Sequence, residues 1–593
     1  MRRLLPLLLL AGCIDPTPFT NPPALSTEVS DWRDEIIYQL IVDRFADGDV
    51  NNDYNVSENP DVLSRHLGGD YQGVMDNVGY LDALGVTAVW VSPIVVNVEE
   101  DAGVAGYHGY WTQDFENVNP HFGDIARFRE MVDVLHAHGI KVILDIVTNH
   151  VGQLFYYDIN RNGRPDTTIY GAGSLDPNQI GSDPIFYLTE WDPPYDPRGV
   201  QSWTSLGESG PAPLGWVYEP EINRMPPEPP EFQNPDWYNR RGRVTDWNDR
   251  EQVVKGDFPG GLKDLDTTNP EVVAALIDVF EFWIGQTNID GFRIDTVKHV
   301  EHSFWQQFAP AIRQYAASQG KNDFLMFGES FDGDDALDGS YTMPNELDSV
   351  FYFPQKFQVF DDVFKYGGPT SKVQDLYDQR AVDYGSAPQP DGVGVAPQDV
   401  LVDFIDNHDL PRFLFDNPDH AALKAALAYL FTEDGIPCLY YGTEQGFSGG
   451  NDPANREPLW WSDYDTSGDL FQHVAALTHL RRASDALRRG DFQIRWVSDR
   501  VNGEEDAHVL AFERATDSQR VLVVINTAGD GRAHTSYQGH DMPVGFDSGT
   551  PLQVVYPPDD SRTFTVSGAG TLSVDVDPYE ALVLAPPGSI PEP

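Results

Sequence analysis

Short apolar runs, rich in β-branched and aromatic residues, recur through the middle of the chain. Each is followed by a polar loop and then a stretch of helical periodicity. The runs lie at Ile36–Val42, Val86–Ser92, Lys141–Val147, Ile289–Ile294, Phe324–Gly328, Ser349–Phe353, Val400–Ile405 and Ile436–Tyr441. Most are apolar on both faces, as strands buried in a parallel sheet are. Helical spacing fills Ile125–His138, Pro270–Gln286 and Ala421–Thr432, and Asn269-Pro270-Glu271 is a helix start. Eight strands alternating with helices predict an α/β fold, a (β/α)8 TIM barrel, over residues 31–150 and 263–489.

The interval between the third and fourth runs is too long for a βα connection. Residues 151–262 are rich in Pro, Gly, Asp and Asn, including Met225-Pro-Pro-Glu-Pro-Pro-Glu231, and predict a small inserted domain. From residue 490 the texture changes to short strands between turns, at Val509–Phe512, Val521–Ile525, Thr563–Val566 and Ala581–Leu584. These predict a C-terminal β-sandwich over 490–593. At the other end, Met1-Arg2-Arg3, the apolar stretch Leu4–Leu10 and Ala11-Gly12-Cys13 read as a signal peptide over 1–12, too short to span a bilayer. Pro16, Pro18, Pro22 and Pro23 make residues 13–30 an extended tether.

Charge narrows the partners. The 593 residues hold 39 Lys and Arg against 93 Asp and Glu, a formal charge of −54. Such a surface repels phosphate backbones, so no nucleic-acid partner is expected, whereas a neutral substrate is unaffected. The acidic excess also fits life in salty water, where screening relieves self-repulsion. Two cysteines, Cys13 and Cys438, exclude a disulfide framework and a cysteine zinc site, and Cys438 reads as a small buried hydrophobe.

Polar residues gather where the predicted strands end. The third ends Asp145-Ile-Val-Thr-Asn149-His150, and the fourth Gly291-Phe-Arg293-Ile-Asp295, followed by Thr-Val-Lys298-His299. The fifth ends Gly328-Glu329-Ser330, and the seventh Asp406-Asn407-His408-Asp409. Strand alternation puts Arg293 and Asp295 on one face, where the guanidinium can keep the carboxylate ionised. Any one of these is most simply a strand-end cap. Several converging carboxylates at one barrel mouth suit glycoside hydrolysis, with a nucleophile, a proton donor and a group stabilising the oxocarbenium-like state.

These segments, in this order, resemble the signature regions of the α-amylase family of glycoside hydrolases (family 13). Leu262-Lys263-Asp264-Leu-Asp266 resembles a further signature, with Lys263 where amylases often carry Pro. Gly106-Tyr-His108-Gly-Tyr110-Trp111 is similar to the family's sugar-stacking segment after strand two, and the resemblance spans residues 31–590. It implies a retaining mechanism on α-1,4-glucan, with Asp295 as nucleophile, Glu329 as acid/base and Asp409 as transition-state stabiliser. By the same resemblance Tyr110, His108, His150, Arg293, Lys298, His299 and His408 bind substrate, and Asp452 and Arg456 hold a sugar several subsites from the cut.

The resemblance also implies Ca2+. Its principal site would use Asn149, Asp264 and the His299 carbonyl, completed by an inserted-domain group the sequence does not identify. Asp47, Asp49, Asn52 and Asp53, with Gly68 and Asp70, resemble an N-terminal calcium loop of cyclodextrin glucanotransferases. Asp158-Ile-Asn160-Arg-Asn162-Gly163-Arg-Pro-Asp166 opens like an EF-hand loop, but Ile169 replaces the Glu at position twelve. Asx-turns without metal are the alternative for both loops.

Leu10-Ala11-Gly12-Cys13 resembles a bacterial lipobox, which implies an exported protein held at the cell envelope by lipid on Cys13. Tyr440-Tyr-Gly-Thr-Glu444-Gln445 and Gly450–Arg456 lean toward the glucanotransferase side of the family, while Ser330, where those enzymes carry Trp, leans away. Of the inserted-domain aromatics Trp191, Tyr195, Trp203, Trp216, Trp237, Tyr238 and Trp247, most are expected in the core and some against sugar. The reading expected is a monomeric, endo-acting α-amylase on starch, glycogen or maltooligosaccharides. The first alternative is a glucanotransferase-like or maltogenic transglycosylase. A non-catalytic glucan-binding lipoprotein is the second, and it sits poorly with the presence of all three carboxylates.

Overall fold

A computed structural model describes residues 18–101, 103–158, 203 and 211–591. Eight parallel strands form the predicted ring: β1 (Ile37–Leu40), β2 (Ala88–Val91), β3 (Lys141–Ile146), β4 (Gly291–Ile294), β5 (Leu325–Gly328), β6 (Ser349–Val350), β7 (Val402–Phe404) and β8 (Ile436–Tyr440). Neighbours pair in sequence, and β8 pairs with both β7 and β1. A parallel bridge between Phe351 and Val402 closes the circle beyond the two-residue β6. The eight sequence-derived strands thus all form.

Alternation along each strand sorts side chains into two cores. Ile37, Ala88, Trp90, Ile143, Phe327, Phe404, Ile436 and Cys438 fill the barrel, whereas Val89, Leu144, Phe292, Ile294, Met326 and Leu439 face the helices. Helices form at the expected places: Ile125–Ala137 capped by Asp124, Pro270–Thr287 capped by Asn269 with Pro at its first position, and His420–Thr432 capped by Asp419.

The inserted region leaves and rejoins the barrel through one antiparallel clasp, His150 opposite Asp264 and Val151 opposite Lys263. Inside it, Phe155–Tyr157 pairs with Leu214–Trp216. Trp237 and Tyr238 are buried, and Trp216 packs edge-on to Phe155 and Tyr238, as core aromatics do. Trp191 and Tyr195 lie outside the described residues, as do Asn160, Asn162, Gly163, Asp166 and Ile169 of the third calcium candidate, and Cys13.

The C-terminal region is an antiparallel six-stranded sheet, order β9-β10-β11-β14-β12-β13. Its strands are β9 (Asp491–Trp496), β10 (Val509–Ala515), β11 (Arg520–Asn526), β12 (Pro551–Tyr556), β13 (Thr563–Thr565) and β14 (Ala581–Ala585). It covers shorter strands around His540–Pro543 and shares their apolar core. β9 and β12 escape the sequence reading because neither is a continuous apolar run: β9 buries only Phe492, and β12 alternates buried with exposed or half-exposed positions. Residues 18–30, expected as a tether, are extended but not free. The Phe19 N–H donates to Gln286 Oε1 at 2.9 Å, and the Thr27 hydroxyl to the Gly320 carbonyl at 2.7 Å. Phe19 and Leu25 pack on the barrel's hydrophobic core, which explains the docking.

Candidate active site

The site begins with strand register. Arg293 on β4 stands directly opposite Asp145 on β3, and both point into the barrel. One residue further on, β4 and β5 run out together: the Glu329 N–H donates to the Ile294 carbonyl at 2.8 Å, and the Asp295 N–H to Ile146 at 2.9 Å. Asp295 and Glu329 therefore emerge side by side at the C-terminal rim. Gly328 permits this, because a Cβ there would lie 2.5–2.6 Å from Leu347 and Val297 side-chain atoms.

Arg293 is fully buried and organises the carboxylates. Its Nη1 donates to both Asp145 oxygens at 2.9 Å and to Asp295 Oδ1 at 3.0 Å, and its Nη2 to Glu329 Oε2 at 2.5 Å. Asp145 also accepts from the Tyr110 hydroxyl at 2.7 Å and the Trp90 indole at 3.0 Å. Burial pushes Asp145 up to about 6 against the pull of these donors. Burial also pushes Asp295 well above the usual carboxylate range. Arg293 opposes this, and the neighbouring charges of Glu329 and Asp145 add to it.

Asp409 faces the pair from the end of β7. Its side chain is 34% exposed, so it stands at the mouth rather than on the floor. His408 Nε2 lies 3.2 Å from one oxygen and Arg456 Nη2 3.3 Å from the other. Gln39 on β1 donates to His408 Nδ1 at 2.7 Å, an arrangement that leaves the His408 proton on Nε2, facing Asp409. Arg456 also reaches Asp452 at 3.0 Å, the Tyr107 hydroxyl at 3.3 Å and the His408 carbonyl at 3.1 Å.

The histidines of the site are neutral. Burial lowers His150 to about 4 and His299 to about 3, and holds His108 and His408 well below the usual range. His150 contacts the Tyr110 carbonyl through Nε2 at 3.2 Å, and Tyr110 stacks on His408 at 5.3 Å. Lys298 donates to the Phe331 carbonyl, and the His299 ring is held by the Val253 carbonyl at 2.9 Å.

Around these groups lies a cleft of about 660 Å³. Asp295, Glu329, Asp409, His108, Tyr110, His150, Lys298, His299, His408, Asp452 and Arg456 all line it, so eleven of the twelve catalytic and substrate-binding expectations meet there. Arg293 lies beneath the floor instead. Trp247, one of the inserted-domain aromatics some of which were expected against sugar, and Phe331, which no motif flagged, line the wall beside Lys298 and His299. Gln39, Trp90 and Asp145 also lacked an assigned role. Their signal is inward-facing polarity in otherwise apolar strands.

The expected calcium ligands divide into two groups. Asn149 and Asp264 meet at the clasp, where the Leu265 N–H donates to the Asn149 carbonyl at 2.9 Å. Asp264 Oδ2 accepts from Asn239 at 2.7 Å, while its buried Oδ1 has no hydrogen-bond partner among the described residues. Burial pushes Asp264 well up, with Asn239 opposing and Asp257, Glu301 and Asp266 adding to it. A buried carboxylate with an orphaned oxygen fits a hard cation. In the second group, Gly68 brings its backbone against Asp53 and Asp47, and the buried Asn52 Oδ1 is unpartnered. Partial burial, with Asp53, Asp70 and Asp49 nearby, lifts Asp47 to about 6. Asp70 is already engaged, accepting from Gly48, Asp49, Asn52 and Gly73, and Asp49 accepts from Asn51.

The fold and the three carboxylates at its C-terminal rim define a glycosidase-type barrel. The alpha-amylase catalytic-domain model matches residues 39–481, and the chain belongs to the alpha-amylase family. It is 33% identical over 78% of its length to an alpha-amylase of Streptomyces lividans. The chain spans 35% and 51% of the length of the first curated relatives it matches. Among solved structures it resembles the Geobacillus thermoleovorans alpha-amylase complexed with acarbose, with TM-score 0.67, 26% identity and coverage of 94% and 99% of the two chains. It also resembles CldA, a cyclomaltodextrin glucanotransferase with a three-domain distribution, with TM-score 0.69, 27% identity and coverage of 93% and 99%.

Proposed function

We propose that the protein is an endo-acting α-amylase that cleaves α-1,4-glucosidic bonds of starch, glycogen or maltooligosaccharides with retention. The carrying observation is the single buried guanidinium of Arg293 that binds both Asp295 and Glu329. It holds the two carboxyls on adjacent strand ends, an arrangement that supports a double displacement. In the first step the Asp295 oxygen not held by Arg293 attacks the anomeric carbon, and Glu329 gives its proton to the leaving oxygen. In the second, Glu329 takes a proton from water, which displaces Asp295. Asp409 carries negative charge at the mouth, opposite the positive charge that develops on the sugar. Neutral His150 and His408 donate or accept hydrogen bonds from sugar hydroxyls without adding charge.

Calcium belongs to this proposal. Asn149, Asp264 and the His299 carbonyl would hold it across the clasp, where it would tie the inserted region to the barrel. Export, lipid anchoring through Cys13 and a monomeric state complete the reading. The lipobox-like sequence supports the anchor, and Cys13→Ser should then move the protein from the membrane fraction to the soluble one.

A transglycosylase is the second reading, favoured by Phe331 and Trp247 lining the cleft beside Lys298 and His299. Aromatic walls there can hold an acceptor sugar in place of water. Protein lacking residues 1–12, incubated with soluble starch and calcium, separates the two. Loss of iodine colour in step with new reducing ends and linear products supports the hydrolase. Colour loss with few new ends, or cyclic products, supports the transferase, and intact starch overturns both.

A further inference from the structure

Outside the cleft, three loops bring two histidines and a glutamate together. His66 follows β1, Glu99 follows β2, and His121 precedes the helix at Ile125. One ring nitrogen of each histidine and a carboxylate oxygen of Glu99 all lie within 4.8 Å of one another. Both imidazoles are buried, and the Glu99 side chain is 13% exposed. His121 Nε2 lies 3.2 Å from each Glu99 oxygen. The two rings stack at 3.6 Å, and Tyr54 covers the outer face of His121 at 3.8 Å, so one imidazole must turn out of the stack to bring its lone pair onto a shared ion.

We propose that His66, Glu99 and His121 form a site for a zinc-class divalent transition metal, distinct from the oxygen-lined calcium positions. Two imidazoles and one carboxylate are a borderline-soft donor set, which suits Zn2+ and not Ca2+. The supporting contacts are those a metal site needs. Asp43 Oδ1 lies 3.4 Å from His66 Nδ1, placed to accept a hydrogen bond from Nδ1–H and leave Nε2 as the electron-pair donor. The Asn55 amide orients Glu99 Oε1 at 2.9 Å. Burial favours the neutral, ligating form of His121. The fourth position is left for water.

The ion would staple three loops that also border the active site. The His66 ring lies edge-on to Tyr107 at 6.4 Å, and the Tyr107 hydroxyl accepts from Arg456. The expected consequence is a stiffer rim rather than new chemistry.

The test uses the full chain saturated with calcium, titrated with Zn2+ by calorimetry and with Co2+ by visible absorption. One equivalent of zinc should bind, and cobalt should give the d–d absorption of a low-symmetry nitrogen–oxygen site. Glu99→Gln and His121→Gln should each weaken zinc binding at least as much as the ~10–100-fold typical of lost outer-shell partners. Unchanged stabilisation by calcium shows that each variant is folded. Equal zinc affinity in the wild type and both folded variants, or a cobalt spectrum that survives His121→Gln, overturns the proposal.

Discussion

Arg293 and Asp145 are register partners on adjacent barrel strands, and one guanidinium nitrogen donates to both carboxylate oxygens at 2.9 Å. The same nitrogen reaches Asp295 at 3.0 Å. Asp145 therefore competes with Asp295 for one positive charge, from a buried position beneath the reacting groups. Its own negative charge adds to the lift on Asp295.

Neutralising Asp145 should move the acid side of the pH profile. Asp145→Asn removes a negative neighbour that raises Asp295 and frees Arg293 to bind Asp295 more fully. Both changes lower the Asp295 pKa, so the acid limb of kcat/KM shifts to lower pH. The rate at the optimum should fall by about ten-fold, since one charge-assisted hydrogen bond to Arg293 is weakened. An unmoved or upward-shifted limb would show that Asp145 does not tune the nucleophile.

Glu329→Gln keeps the hydrogen bond to Arg293 but removes the transferable proton. On starch kcat should drop by about 10²–10⁴-fold, the range for general acid–base catalysis. A maltooligoside with an aryl leaving group of low pKa needs no proton in the first step, so it should show a burst of released phenol. The same small loss on both substrates would displace Glu329 from the acid/base role.

Much of this was readable in advance because the barrel writes itself as eight apolar runs, with chemistry at their ends. Arg293, Asp295, Glu329 and Asp409 were found that way, since a charged residue inside or just after a buried strand is expensive and conspicuous. Asp145 and Gln39 sit in the same kind of run, yet their partners come from Arg293 on β4 and from His408 beyond β7, and only the closed ring shows which strands adjoin. The His66–Glu99–His121 cluster was invisible for the same reason, its members lying on three loops with no fixed spacing. The Asp47–Asp70 loop shows the converse. Its acidic spacing was plain, but Asp70 spends its oxygens on loop N–H groups and the cap of the helix Tyr71–Asp76, which no spacing reveals.

Calcium removal should act through Asp264. Without a cation its carboxylate is pushed far up by burial, so the clasp carries either an unpaired charge or a proton. Chelation should lower the Tm, and adding calcium at about 100 times its Kd should restore roughly 2.7 kcal/mol. Asp264→Asn should abolish most of that response while leaving the calcium-free protein near the wild-type Tm. Calorimetric scans of both proteins with and without chelator check this, and an undiminished calcium response in the variant would exclude Asp264 as a ligand.

The buried, neutral His150 makes a separate prediction about acid stability. Its folded pKa is about 4, below the ordinary histidine value of 6.5, so the unfolded chain binds the proton more readily. The His150 contribution to stability is therefore fully present above pH ~6.5 and is lost as pH falls toward 4. Glutamine retains hydrogen-bonding capacity without a titrating group. His150→Gln should be less stable than wild type at pH 7 by about 1 kcal/mol, the size of one lost hydrogen bond, and the difference should shrink or reverse toward pH 4. Urea midpoints across that range give the comparison. A difference that stays constant with pH would mean that His150 is as exposed to protons in the folded protein as in the unfolded chain.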